Sequence, residues 1–418
     1  MVVSPEVSAE VGPAVEAPAF NPLDPAFAQD PFPTLRALRE TDPVLPLPGM
    51  GFLVTGHQPI AEMLRRRDGD TRWVEFQQRR MGPGAEHEPY CKGNVSSLLM
   101  ISGDRHARVR GTFQRNFSAR MMELLRGPVT ETAHRLIDGF VGRGEVELMA
   151  EFASELPMWA ISRLLRVPHE DEALMLEWME GFLLSVQLLP LTPEQLAKAN
   201  HGISSLNAYF VDLVARRRKA PLEDDLLTML IAEADAGRLS DDELVTNAWT
   251  LYVGGHDTTA RTICNAVATL DEHPAQVAAL IEDPGGWPNA VEEVLRYVGP
   301  VQGTHRLLRE EITLGGHTVP ADTPVIMYLS AANHDESWCP HAAEFDTSRD
   351  VPADHLAFGA GPHRCPGAHM ARMMVQVALE ALYSRLPGLR VTDLVWDTEV
   401  MNFRGPATLN ISWNAPER

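Results

Sequence analysis

Apolar positions recur at helical spacing through most of the chain between Phe32 and Leu270. The clearest stretches are residues 61–67, 120–141, 151–165, 171–186 and 193–218. Strand patterns are few and short. They cover residues 51–55, residues 311–320 with 323–329, where Gly315-Gly316 signals a turn, and residues 409–413. The pattern predicts a mainly α protein with small β-sheets. Proline-rich joints at residues 83–89 and 284–288 do not read as domain linkers, so residues 21–418 are expected to form a single domain behind a flexible leader, residues 1–20. The longest apolar run, residues 181–191, is interrupted by Gln187 and Pro190 and falls short of the ~20 residues that span a bilayer. No membrane association is expected.

One predicted helix is inconsistent with itself. Ser240-Asp241-Asp242-Glu243 is a capping box, and Leu239 and Leu244 stand where a hydrophobic staple would. The next proline is Pro274, which allows a helix of roughly 30 residues, or about 45 Å. Yet its middle, Gly254-Gly255-His256-Asp257-Thr258-Thr259, is a run of poor helix formers. The two glycines alone cost about 2 kcal/mol against alanine. Either the helix breaks there, or a small ligand approaches the backbone beside an acid and an alcohol able to relay protons.

The net charge of −21 argues against nucleic acid as a partner. Cys91, Cys264, Cys339 and Cys365 are scattered, which suits neither a disulfide framework nor a zinc site. The first twenty residues lack a basic n-region. A cytoplasmic location is expected.

The richest stretch is Phe358-Gly359-Ala360-Gly361-Pro362-His363-Arg364-Cys365-Pro366-Gly367. Its glycines permit a tight loop, and a helix over residues 368–386 follows, with Pro366 suited to its start. The sulfur of Cys365 is therefore expected at a helix N-terminus, where free amides and the dipole favour an anion and lower a thiol pKa. The spacing of Phe358, Gly359, Gly361, His363, Cys365 and Gly367 resembles the heme-ligand signature of the cytochrome P-450 family. Residues 254–259 are similar to its oxygen-activation motif, and Glu293-Val294-Leu295-Arg296 to its Glu-x-x-Arg motif. Arg349 resembles the arginine that completes that ion-pair cluster. The resemblance runs from about Asn21 to the end, with the four motifs in order. Gly254 stands where the family often has alanine, and Pro366 removes one amide that could face the sulfur.

The resemblance implies a helix-rich triangular prism with heme b between the long central helix and the cysteine-loop helix. Cys365 would be the axial ligand to iron. Gly254 and Gly255 would leave room for dioxygen, with Thr258 and Asp257 feeding protons. His106, Arg110, Arg306 and His363 match the family's contacts to the heme carboxylates. Electrons would come from NAD(P)H through a separate ferredoxin-type donor. Residues 105–120 hold five arginines and no acid, so Arg105, Arg108 and Arg115, with Arg364 and Arg372, are expected to form its docking face. Carried-over topology puts Phe182, Leu184, Leu188, Val253, Val301, Gln302, Thr304, Asn402 and Phe403 at the substrate pocket. They suggest a mainly apolar small molecule. The expected reaction is hydroxylation or a related oxidation. The alternatives are a peroxide-driven peroxygenase, an oxidative coupling enzyme on a natural-product intermediate, or a non-catalytic heme sensor.

Overall fold

The helix Asp241–Asp271 runs unbroken and is buried along almost its whole length. The computed structural model describes residues 20–414 except 23, 48, 68, 117, 118 and 224. The capping box is formed: Ser240 Oγ accepts from the Glu243 amide at 3.1 Å, and Glu243 Oε2 from the Ser240 amide at 3.0 Å. The weak middle neither breaks nor bends the hydrogen-bonded ladder into two helices. Thr258 Oγ1 donates back to Gly254 O at 2.9 Å, Thr259 Oγ1 to Gly255 O at 3.1 Å and Thr262 Oγ1 to Thr258 O at 2.7 Å. These hydroxyls are satisfied inside the helix instead of competing with it.

Helices Glu155–Leu165, Pro193–Lys219, Trp287–Val298 and Ala368–Arg385 pack around this central one. Helices Glu172–Ser185 and Pro193–Lys219 touch backbone to backbone at Gly181 and Gly202: a Cβ on Gly202 would lie 2.4 Å from Trp178 O, and one on Gly181 2.6 Å from Lys198 O. The expected helix over residues 151–165 is divided, a π-turn at Met149–Ala153 preceding Glu155–Leu165.

Four strands run in the order Val44–Leu47, Gly51–Val54, Pro324–Tyr328, Gly303–Leu307, the middle pair parallel with Phe52 opposite Val325. Three more pair as Glu145–Glu147, Pro406–Ser412, Arg390–Trp396. Gly315 and Gly316, at φ 56° and 86°, turn residues 312–319 into a hairpin of their own, Ile312–Leu314 with His317–Val319. The strand expected beside it pairs elsewhere. Of the expected leader, residues 1–20, only Phe20 is among the described residues; its ring packs edge-on against Phe27 and Tyr328.

Candidate active site

A cavity of about 340 Å³ opens between the middle of the central helix and the cysteine loop. Val253, Gly254, Gly255, Asp257 and Thr258 form one wall, and Phe358, Gly359, His363, Cys365 and Gly367 face them. Gly254 borders open space, with no atom within 4 Å of where a Cβ would stand. The weak helical run and the cysteine signature thus meet across a single space.

The loop conformation follows from its glycines. Gly359 and Gly361 have φ of 64° and 65°, and a Cβ on Gly361 would come 2.3 Å from Leu64 O. The Cys365 amide donates to Phe358 O at 2.9 Å, closing the loop. The thiol departs from expectation. Burial pushes the Cys365 pKa up, and the Gly367 amide with the charges of Arg110, Arg364 and Arg372 only partly oppose this. The chain alone does not make this sulfur an anion; a cation bound to it would.

Beside the sulfur two arginines and two histidines cluster. His106 and His363 rings stand 4.1 Å apart, next to Arg110 and Arg306. His106 Nε2 and Arg110 Nε are buried with no partner. Burial and the neighbouring arginines push His106 down to about 4, and burial with Arg306, His106 and Arg110 pushes His363 down to about 2. Burial lowers Arg306 to about 10. Among the described residues lining the cavity, Asp257 is the sole carboxylate, and it pairs elsewhere. Unpaired buried donors crowded together call for an anion. A group with one metal centre and two carboxylates fits both halves of this site, so the residues present suit a heme.

The cysteine loop is braced from below. Arg296 Nε and Glu293 Oε2 meet at 2.7 Å, both side chains fully buried. Arg349 Nε donates to Glu293 Oε1 at 3.2 Å. Arg296 also donates to Asn333 O at 2.7 Å and Ala342 O at 2.6 Å. Asn333 Oδ1 then takes the Leu356 amide at 2.7 Å, just before the loop. Arg372 sits 4.5 Å over the Phe358 ring and pairs with Glu292.

At the far end, Phe182, Leu188, Val253, Val301, Thr304, Asn402 and Phe403 line the cavity. Gln302 and Leu184 do not. Gln302 turns inward, its Nε2 donating to Gly299 O at 3.1 Å and Pro300 O at 3.2 Å. Leu184 is fully buried in the core. Sequence reasoning missed His305, which lines the cavity stacked 3.5 Å from Phe76, and Arg261, which pairs with Asp257 at 2.9 Å. The i,i+4 spacing of Asp257 and Arg261 was a usable signal for the second.

The expected arginine patch is not bare. Arg105 and Arg108 both pair with Glu243, at 2.9 and 2.7 Å, and Arg115 with Glu233 at 2.7 Å. Those acids come from residues far along the chain. Arg364 is exposed.

The family model described as Cytochrome P-450 matches residues 170–283 and 288–386. The chain is similar to the mycinamicin IV hydroxylase/epoxidase of Micromonospora griseorubida, 35% identical over 390 residues covering 90% of this chain and 94% of the relative. It is 36% identical over 371 residues to the vitamin D(3) 25-hydroxylase of Pseudonocardia autotrophica, covering 87% and 88%. Among solved structures it resembles CalO2 with a TM-score of 0.86 and 30% identity, over 95% of this chain and 99% of that one.

Proposed function

The chain belongs to the cytochrome P-450 family, and on that premise we propose that it is a heme-thiolate monooxygenase acting on a mainly apolar, natural-product-sized molecule. The observation that carries this reading is the meeting, across one cavity, of Cys365, the Arg110, Arg306, His106 and His363 cluster and the Gly254–Thr258 run. Cys365 would hold the iron, while His106, Arg110, Arg306 and His363 would hold the carboxylates. Bound there, the heme supplies dioxygen activation, which a thiolate ligand favours.

The chain's own groups do the rest. Thr258 donates its hydroxyl proton to Gly254 O, which leaves its oxygen lone pairs to accept from a water or a donor in the cavity. Asp257 is the one carboxylate at that wall and serves as the proton source by relay, taking a proton from solvent for each one it passes on. Phe182, Val253, Val301 and Phe403 exclude water and seat an apolar substrate, and Thr304 and Asn402 offer hydrogen bonds that orient it. The two relatives named above are called a hydroxylase/epoxidase and a hydroxylase, which favours hydroxylation or epoxidation. A peroxide-driven reaction would not need the acid and alcohol, so their shared position favours the reductant-driven one.

Two measurements test this. The reduced protein should give a thiolate-type carbon monoxide spectrum that Cys365→Ala abolishes. Turnover of a panel of apolar macrolactones and sterol-like compounds should require a surrogate ferredoxin, its reductase and NAD(P)H; equal turnover with peroxide alone would favour the peroxygenase. The donor would dock on a face that includes Arg364 together with Arg105, Arg108, Arg115 and Arg372, although those four pair with acids of the chain. Arg108 is a poor probe of docking, because reversing it sets a like charge against Glu243. Arg364 is exposed, but its charge also acts on Cys365, so the salt dependence is the readout: with the reduction potential measured as a control, Arg364→Glu should slow reduction by the ferredoxin several-fold at low salt and much less at high salt. Equal rates at both salt concentrations would remove this docking face.

A further inference from the structure

Arg261 lies one turn beyond Asp257 on the central helix and is buried. Its Nε reaches both Asp257 oxygens, at 3.1 and 2.9 Å. One terminal nitrogen donates to Asp397 Oδ2 at 2.8 Å, the other to Phe403 O at 3.1 Å. Its stem lies against Gly405, where a Cβ would come 2.6 Å from Arg261 Cγ. Burial works against this charge, and the two carboxylates more than offset it.

Asp397 and Phe403 belong to the connection between strands Arg390–Trp396 and Pro406–Ser412. That connection is closed on itself, the Asp397 amide donating to Gly405 O at 3.0 Å and the Glu399 amide to Asp397 Oδ1 at 2.8 Å. It is also tied to the opposite cavity wall. The Gln302 amide donates to Asn402 O at 2.9 Å and the Arg404 amide to Pro300 O at 2.7 Å. Its tip carries Asn402 and Phe403 into the cavity.

We propose that Arg261 is a positioning residue which sets, with one guanidinium, both the direction of the Asp257 carboxylate and the place of Asn402 and Phe403 against the substrate. A planar fork holds its donors in fixed, divergent directions and so bridges two carboxylates and a carbonyl at set positions, whereas the three donors of an ammonium radiate from one compact point. The loop therefore cannot move outward without losing contacts on the guanidinium that also holds Asp257. Substrate placement and proton supply share one anchor. This rests on Asp257 being the proton source.

The test uses heme-loaded wild type, Arg261→Gln, Arg261→Lys, Asp397→Asn and Asp257→Asn. Each is titrated spectrally with imidazole and with the longer 4-phenylimidazole. Amide exchange is followed over residues 397–405. Reductant consumption and peroxide release through a surrogate ferredoxin are followed against pH. Arg261→Gln and Asp397→Asn should weaken 4-phenylimidazole about tenfold or more relative to imidazole and speed loop exchange by about as much, since each loses the charge-assisted hydrogen bond between Arg261 and Asp397 and Arg261→Gln also loses that to Phe403 O. Arg261→Lys should recover part of each effect. Arg261→Gln and Asp257→Asn should both divert reductant to peroxide and change the pH profile, whereas Asp257→Asn leaves the loop readouts as in wild type. A wild-type affinity ratio and wild-type exchange in Arg261→Gln overturn the proposal. If that variant fails to hold heme, Asp397→Asn decides by the same two readouts. Normal coupling in Asp257→Asn would overturn the proton-source reading, and with it the proton half of the proposal, while the loop readouts still decide the anchor.

Discussion

The guanidinium of Arg296 has no route to water, and its donors are taken by Glu293, Asn333, Ala342 and Glu344. From the sequence, Glu293 and Arg296 are an ordinary pair three residues apart, of the kind worth a few tenths of a kcal/mol on a helix surface. Burial changes the sign of the argument. Removing one partner strands the other charge, so Arg296→Ala should cost about 3–5 kcal/mol. Chemical denaturation of the heme-loaded protein checks this; a loss under about 1 kcal/mol would mean that the site rehydrates on truncation. The same residue shows why a local pattern is a poor guide to strength. Neither Arg349 beside Glu293 nor the carbonyls of Asn333, Ala342 and Glu344 around Arg296 could be placed from spacing alone.

Two glycines on neighbouring helices invite opposite outcomes. Gly202 faces backbone, its would-be Cβ 2.4 Å from Trp178 O, and backbone cannot give way cheaply. Gly202→Ala should destabilise by about 1–3 kcal/mol through overpacking. Gly254 faces open space, so Gly254→Ala should stabilise the central helix by about 1 kcal/mol, the propensity difference, while narrowing the cavity. Thermal unfolding of the two variants reads both signs, and equal shifts would contradict the geometry. The capping box that starts this helix was legible in the sequence because its atoms are three residues apart. The continuity of the helix across Gly254–Thr259 was not, because it depends on threonine hydroxyls bonding inward and on packing by four other helices.

Across the whole molecule, buried histidines and paired carboxylates predict weakness in acid. Burial pushes His256 down from 6.5 to about 4, and His305 and His334 from 6.5 to about 3. Each is neutral in the fold but takes a proton when unfolded, so stability present above pH 6.5 is lost as pH falls toward 3 to 4. Glu243 and Glu292 extend the loss. Burial would raise them, but hydrogen bonds from Arg108, Ser240 and Arg105 to the first, and from His355 and Arg372 to the second, hold both at about 2 against 4.5. Their stabilisation is present above pH 4.5 and disappears between 4.5 and 2. The melting temperature should therefore fall continuously from pH 6.5 downward; a plateau from pH 6.5 to 4 would exclude the histidine contribution. By itself the sequence determined the helical class, the cap that starts the central helix, and the loop around Cys365, because each depends on residues within a turn or two of one another. Tertiary structure alone decided that burial pushes the Cys365 thiol up against its neighbouring charges, that Glu243 and Glu233 answer the arginine patch, and that Arg261 joins Asp257 to Asp397. Those outcomes depend on burial and on partners more than a hundred residues apart, and no local pattern encodes either.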